Sequence, residues 1–338
     1  EKLIQFFIMN SQIISNHITN DCMNFSEENL IGSKKLSSNN QIMYSVRKFF
    51  TSKLSSHENT RSLFSFIFKI FYSITGSSHV LPDFYILGGQ KCGTTSMFMY
   101  LTRHPAILSP NAKDIRFFDK YFFKGVNWYR INFPTKSTKS SLSKNFKHVL
   151  TGEGTERYFD HPHAAERIKQ VTPNAKFIIL LRNPIERSYS HYTMIARRNA
   201  ESLTFEKAIQ EKEDRIVSLY EKMIDDSSYY SDIYFRHGYL HRGIYVDKIK
   251  RWMEVFPKEQ FLIIQSEEFF RDPSKIYNQV LDFLGVENFN LEQYEQFRKQ
   301  DYIKSKLPVD IHERLANYFK PHNQRLYEFL GRKFDWDE

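Results

Sequence analysis

From Leu81 onward, short apolar runs alternate with amphipathic stretches. Phe84–Leu87, His148–Gly152, Phe177–Leu181 and Phe261–Ile264 are each short and apolar, which predicts buried strands. Apolar residues recur at helical spacing over Ser96–His104, Ala164–Val171, Pro184–Arg198, Phe205–Lys222, Val246–Phe256, Pro273–Leu284 and Ile311–Leu330. This alternation predicts an α/β fold, a parallel sheet flanked by helices on both faces. Ligands of such sheets sit outside the carboxyl ends of the strands. The residues just after each run are therefore the first place to look for chemistry.

The first run leads into Gly88-Gly89-Gln90-Lys91-Cys92-Gly93-Thr94-Thr95-Ser96 and then into Met97–Leu101. Strand, glycine-rich turn and helix together offer backbone N–H groups and a helix N-terminus to a phosphate, a P-loop-like arrangement. Lys91 adds a positive charge, and Thr94, Thr95 and Ser96 add hydroxyl donors. An NTPase loop reads G-x-x-x-x-G-K-[ST]. Here the lysine precedes the last glycine by two residues, which points to a phosphorylated donor other than ATP. For this stretch alone, a plain turn before a helix is the alternative.

Three more segments stand at predicted strand ends or beside them. Arg182 ends a strand, Asn183 and Pro184 suit an N-cap and first turn, and Glu186 follows Asn183 by three as in a capping box. Arg187 and Ser190 lie three apart on one helical face. An arginine at the strand end and a serine on the helix can grip one phosphate from two sides; a solvated basic helix start is the alternative. Glu153 follows the second strand within Gly152-Glu153-Gly154-Thr155-Glu156-Arg157-Tyr158-Phe159-Asp160, which directs its carboxylate to the cleft. Glu156 is a rival, and an exposed loop glutamate is the plain reading of either. Lys113-Asp114-Ile115-Arg116-Phe117-Phe118-Asp119 precedes Gly125-Val126-Asn127-Trp128-Tyr129.

In this order, the segments resemble those of sulfotransferases that use 3′-phosphoadenosine 5′-phosphosulfate (PAPS), heparan-sulfate-type members in particular, from about Leu81 to Gly331. The loop resembles their 5′-phosphosulfate loop, which implies donor contacts from Gln90, Lys91, Cys92, Gly93, Thr94, Thr95 and Ser96. The second segment resembles their 3′-phosphate motif and implies that role for Arg182 and Ser190. Glu153, five residues before Tyr158-Phe159, matches the family's general base. Lys113-Asp114 resembles K-E-x-x-F-F with a shorter carboxylate, and implies a second lysine, Lys113, near the sulfuryl group. Arg242-Gly243-Ile244-Tyr245 resembles the family's G-x-Y and brings Tyr245 near the nucleotide or acceptor. The stretch from Tyr302 to Pro308 stands where relatives close a basic loop over PAPS, which makes Lys304 and Lys306 donors. The cysteine pair and S-K-G-R of glycan-modifying relatives are missing there, a departure from the lumenal glycan branch.

The resemblance implies catalysis by Glu153, Lys91 and Lys113, PAPS as donor, adenosine 3′,5′-bisphosphate (PAP) as product, and no metal. The chain carries no zinc spacing, no H-E-x-x-H and no EF-hand pattern. His191 and His241 read as structural. Rival readings are a P-loop small-molecule kinase and a nucleotide-binding module without catalysis.

Composition narrows the setting. The 338 residues can hold one large α/β domain, 81–338, and an N-terminal extension, 1–80, rich in Asn, Ser and Lys and helical or partly ordered. The apolar stretch Leu63–Ile74 is broken by Lys69 and too short to span a bilayer; no secretory signal or anchor is evident. With only Cys22 and Cys92 there is no disulfide framework, so a reducing, cytoplasmic compartment is expected. The net charge of +9 suits an anionic nucleotide, and without a recognition motif it makes no case for nucleic acid. Residues 201–232 are acidic and interleaved with Tyr220, Tyr229 and Tyr230. Lining the acceptor side, they would suit a neutral or cationic molecule; otherwise they form a solvated helix. The expected acceptor is a hydroxyl or amine of a small molecule, a cationic alkaloid of the saxitoxin type being one example, with a heparan-type glycan as the alternative.

Overall fold

The computed structural model describes residues 72–295, 297 and 307–336. The chain divides between Ile74 and Thr75, and everything below concerns Thr75–Glu338. Among the described residues, one sheet is built from β1 (Phe84–Gly88), β2 (Ile107–Leu108), β3 (Leu150–Glu153), β4 (Lys176–Leu181) and β5 (Phe261–Gln265). Its order is β2-β3-β1-β4-β5, and every neighbouring pair is parallel.

The near-continuous apolar strands are explained by burial on both faces. Phe84, Ile86, Ile178, Leu180 and Ile264 share a core with Met97, Phe98 and Leu101 of helix Thr94–Arg103 and with Tyr277, Val280 and Leu281 of helix Pro273–Leu284. The alternate residues face the other layer. Tyr85 stacks on Phe177, and Phe177 meets Trp252 and Phe256. Helix Val246–Val255 supplies Trp252 from its buried face.

The expected helices are present: Ala164–Val171 and Pro273–Leu284 have the predicted bounds, and the others shift by a few residues at their ends. Two-residue β2 is too short to leave a periodic signal. The segment after Lys113 is irregular: Arg116 is left-handed (φ 61°) and a π-helical turn spans Phe117–Tyr121. Stacking of Phe117 on Tyr129, with ring centroids 4.6 Å apart, holds that turn. The expected capping box also differs. Asn183 accepts from the N–H groups of Ile185 and Glu186, but Glu267 rather than Glu186 accepts the Asn183 N–H, at 2.8 Å. Glu186 turns instead to Arg182, 3.3 Å away, drawn by its charge.

β1 lies between β3 and β4. Gly88 pairs with Leu180, so β1 and β4 end together, whereas β3 ends at Glu153 opposite Tyr85, three residues short of Gly88.

Candidate active site

At the end of β1 the backbone turns through conformations that side chains resist. Gly88 has φ 122°, and a Cβ there would lie 2.1 Å from the Leu180 carbonyl oxygen. Gly93, at φ 89°, is the residue before helix Thr94–Arg103 and has no side chain to cap its N–H groups. No N-cap side chain competes for those amides, as suits an anion-receiving turn. Lys91 also takes a positive φ, 77°.

The side chains of this loop divide between two directions. Cys92 is buried with its Sγ 4.0 Å from the Tyr245 hydroxyl; burial pushes the thiol up to about 11, so it packs as a small apolar group. Ser96 is buried too, and its hydroxyl accepts the Phe297 N–H at 3.2 Å. Gln90, Lys91 and Thr95 are partly accessible. The side chains of Cys92 and Ser96 are therefore turned inward, and the Cys92 N–H donates to the Gly89 carbonyl at 3.2 Å, which closes the loop.

Arg182 stands beside the loop, with Nη1 3.4 Å from the Lys91 carbonyl oxygen. Ser190 is on the next helix, Pro184–Ala196, and is buried. Tyr245 is buried, and its hydroxyl donates to the Arg182 carbonyl at 2.8 Å, so it supports the strand end. Lys304 and Lys306 lie outside the described residues.

Behind the loop is a buried charged cluster that the sequence did not disclose. Asp160 takes Arg242 Nε at 2.8 Å and Lys248 Nζ at 2.8 Å, all three buried. Arg242 Nη1 reaches the Gln90 side-chain oxygen at 2.7 Å, tying the cluster to the loop. Burial alone would raise the Asp160 carboxyl, but Arg242 and Lys248 outweigh it and hold the carboxyl at about 2. Arg187, fully buried, gives one nitrogen to Ser188 and the Tyr239 carbonyl, while its Nε and Nη1 have no hydrogen-bond partner among the described residues. The position of Lys248 was a usable sign: it shares the buried face of its helix with Ile249 and Trp252. The Asp160–Arg242 pair spans 82 positions, a separation no local pattern reveals.

Glu153 ends β3 and is fully buried, so its carboxylate does not open onto the cleft as its place in the sequence suggested; the hydroxyls packed around it enclose it. Its carboxylate accepts from the hydroxyls of Tyr129, Thr155 (2.7 Å) and Tyr158 (2.8 Å). Burial raises its pKa to about 7, although the three donors pull the other way. Glu156 is half-buried and behaves oppositely: burial raises it, but Lys113, Arg242 and Arg157 outweigh burial and hold it below the ordinary carboxylate range. Lys113 lies against Gly154; its carbonyl accepts the Gly154 N–H at 3.4 Å.

On this side most cations meet a carboxylate. Lys113 is 3.4 Å from Asp114, Arg116 2.9 Å from Asp119, Lys120 3.1 Å from Asp232 and Arg157 3.5 Å from Asp232. Arg116 and Arg157 also donate to the Tyr230 hydroxyl. The acidic stretch 201–232 contributes only part of itself here. Glu211, Asp214, Glu221, Asp225 and Asp226 face solvent, and Glu201 is buried against Lys212 and Tyr239.

Comparison with known proteins agrees with this geometry. The family described as "Sulfotransferase domain" matches residues 81–317. The chain is 26% identical over 329 residues to the membrane-associated sulfotransferase kil1 of Dictyostelium discoideum, covering 78% of this chain and 68% of the relative. It is 27% identical over 289 residues to human heparan sulfate glucosamine 3-O-sulfotransferase 3B1, covering 79% and 67%. Against the bifunctional heparan sulfate N-deacetylase/N-sulfotransferase 1 of Caenorhabditis elegans the identity is 26%, and the chain spans only 31% of that protein. Among solved structures, a sulfotransferase from Alicyclobacillus acidocaldarius is 28% identical with a TM-score of 0.59, covering 77% of this chain and 100% of that one. With the anion-receiving loop, the parallel sheet and a match running through most of its length, the chain belongs to the sulfotransferase family, enzymes that generally draw the sulfuryl group from PAPS.

Proposed function

We propose that the protein transfers the sulfuryl group of PAPS to a hydroxyl or amine of a small, neutral or cationic acceptor, with Glu153 as general base. The observation that carries the choice of acceptor is the pairing of Lys113, Arg116, Lys120 and Arg157 with carboxylates of this chain. A polysulfated glycan calls for free cations along its path, and each pair would have to be opened to supply one.

PAPS supplies the sulfuryl group and departs as PAP. The residues present suit it: positive-φ glycines let the loop backbone approach an anion, and Lys91 brings charge. Lys91 and the N–H groups of Gly93 to Thr95 offset the charge growing on the 5′-phosphate. Arg182 and Ser190 hold the 3′-phosphate. Glu153 removes the acceptor proton, a task suited to a carboxyl at about 7. Glu156, held below its ordinary range by Lys113, Arg242 and Arg157, is the poorer base. Lys113 assists from the sulfonate side. No metal enters this scheme, and turnover is expected to survive chelator. The cytoplasmic setting is likewise proposed, on the low cysteine content.

The curated relatives favour a second reading, a heparan-type glycan acceptor, since several are heparan sulfate sulfotransferases by name. Radiolabelled PAPS offered with N-sulfated heparan oligosaccharides and with a panel of small alcohols, phenols and amines separates the two. Label is expected on small acceptors; efficient labelling of the oligosaccharide alone would overturn the small-acceptor reading.

A further inference from the structure

We propose that Tyr129, Tyr85 and Thr172 form a hydroxyl relay that carries the proton taken up by Glu153 to solvent at the opposite end of the sheet. The inference rests on the reading of Glu153 as the base. A base enclosed by protein has to discharge its proton somewhere before the next turnover. Glu153 is 0% exposed, and one of its carboxylate oxygens accepts from the Tyr129 hydroxyl. That hydroxyl lies 3.4 Å from the hydroxyl of Tyr85, which lies 2.9 Å from Thr172 Oγ1; the Thr172 hydroxyl also reaches the Ile168 carbonyl at 3.4 Å, a long contact it must leave to pass its proton to water. Tyr129 and Tyr85 are also 0% exposed, whereas Thr172 is 8% exposed and borders a groove of about 390 Å³ together with Asp83, Asn174 and Lys176.

The sheet itself builds this line. Tyr85 and Glu153 are register partners on adjacent parallel strands, so both side chains leave the same face. Thr172 follows the helix Ala164–Val171 and sits where that helix turns toward β4. The branch through Tyr158 ends differently: its hydroxyl accepts the Phe117 N–H at 2.7 Å, and an amide cannot pass a proton onward as a hydroxyl does.

The balance is simple. As the acceptor O–H bond breaks and its oxygen bonds to sulfur, the bond from sulfur to the 5′-phosphate oxygen breaks, PAP leaves with that electron pair, and the proton moves to the Glu153 carboxylate. Glu153 then gives a proton to Tyr129, Tyr129 gives its own to Tyr85, Tyr85 to Thr172, and Thr172 to water in the groove. Each hydroxyl gains and loses one proton, and rotation of the hydroxyls restores the chain. Burial, with the Glu153 charge, holds both phenols well above their ordinary range, so they remain neutral and the shift is concerted. The titratable groups facing the path are Tyr158 and Asp114 at Glu153 and Asp83 at Tyr85.

The test follows the infrared carboxyl band of Glu153, assigned as the band lost in Glu153→Gln, after a pH jump across neutrality in the full chain saturated with PAP. Tyr85→Phe keeps the ring stacked on Phe177 and removes only the hydroxyl. Protonation of Glu153 is expected to slow about tenfold or more in Tyr85→Phe and in Thr172→Val, and to return to within about twofold in Thr172→Ser. Should Tyr85→Phe fail to fold, the Thr172 pair decides alone. Wild-type rates in Thr172→Val, or in both variants, would overturn the relay while leaving Glu153 as the base. Undiminished sulfuryl transfer by Glu153→Gln would instead overturn the base assignment, and the relay with it.

Discussion

Glu153→Gln is expected to lower sulfuryl transfer by about a hundredfold or more while leaving PAP binding intact, as loss of a general base does. The amide has the same shape and remains in reach of Tyr129, Thr155 and Tyr158, so the fold has little reason to change. What it lacks is a lone pair basic enough to take the acceptor proton. The pH dependence gives an independent check. Burial raises the Glu153 pKa to about 7, so the basic form is depleted below that value. Turnover should therefore climb as pH rises through about 7 and level off above it, and the residual activity of Glu153→Gln should lose that limb. A wild-type profile flat from pH 5 to 8, as a solvated carboxylate titrating near its ordinary value of about 4 would give, would contradict Glu153 as a base titrating at about 7.

Asp160→Asn is expected to cost about 3–5 kcal/mol of folding stability, the range seen when one partner is removed from a buried ion pair. Asp160 is 0% exposed and is the carboxylate that Arg242 and Lys248 both meet. Without it, Lys248, already pushed down to about 8 by burial, can shed its proton, so Arg242 carries most of the cost. The depressed carboxyl pKa fixes the sign with pH. Asp160 contributes fully above its unfolded value near 4, and that contribution is lost as pH falls through about 2. Urea denaturation at neutral pH measures the loss. The exposed pair Arg325–Asp247 is the control: Asp247→Asn should change stability by no more than about 1 kcal/mol. Equal effects from the two substitutions would contradict the account. Arg242 also holds Gln90, so Asp160→Asn should weaken the donor loop beyond its effect on folding.

Much of the frame could be read from the chain because its signals are local. Buried parallel strands leave continuous apolar runs, and the long helices keep an apolar stripe; both survive without knowledge of their partners. The glycine loop was legible for the same reason, since Gly88 and Gly93 occupy positions where a side chain would clash or strain. What escaped depends on distant contacts. The bond from Asn183 to Glu267 joins residues 84 positions apart, and the buried cluster around Asp160 spans a similar distance. The acidic stretch left two readings open because composition does not say which face is covered: Asp232 and Tyr230 meet Lys120 and Arg116, while most of its other carboxylates are solvated. Cys92 and Ser96 belong to the loop by sequence, yet their side chains point inward, set by the turn at Cys92 and by the phase of the helix at Ser96 rather than by motif.

The most direct measurement is calorimetric titration of the full chain with PAP, set against ATP in the same buffer without Mg²⁺. PAP is expected to bind, ATP to bind far less well, and Arg182→Ala to abolish the PAP signal. Absence of PAP binding, together with ATP binding once Mg²⁺ is added, would contradict the donor site proposed here and restore the kinase reading.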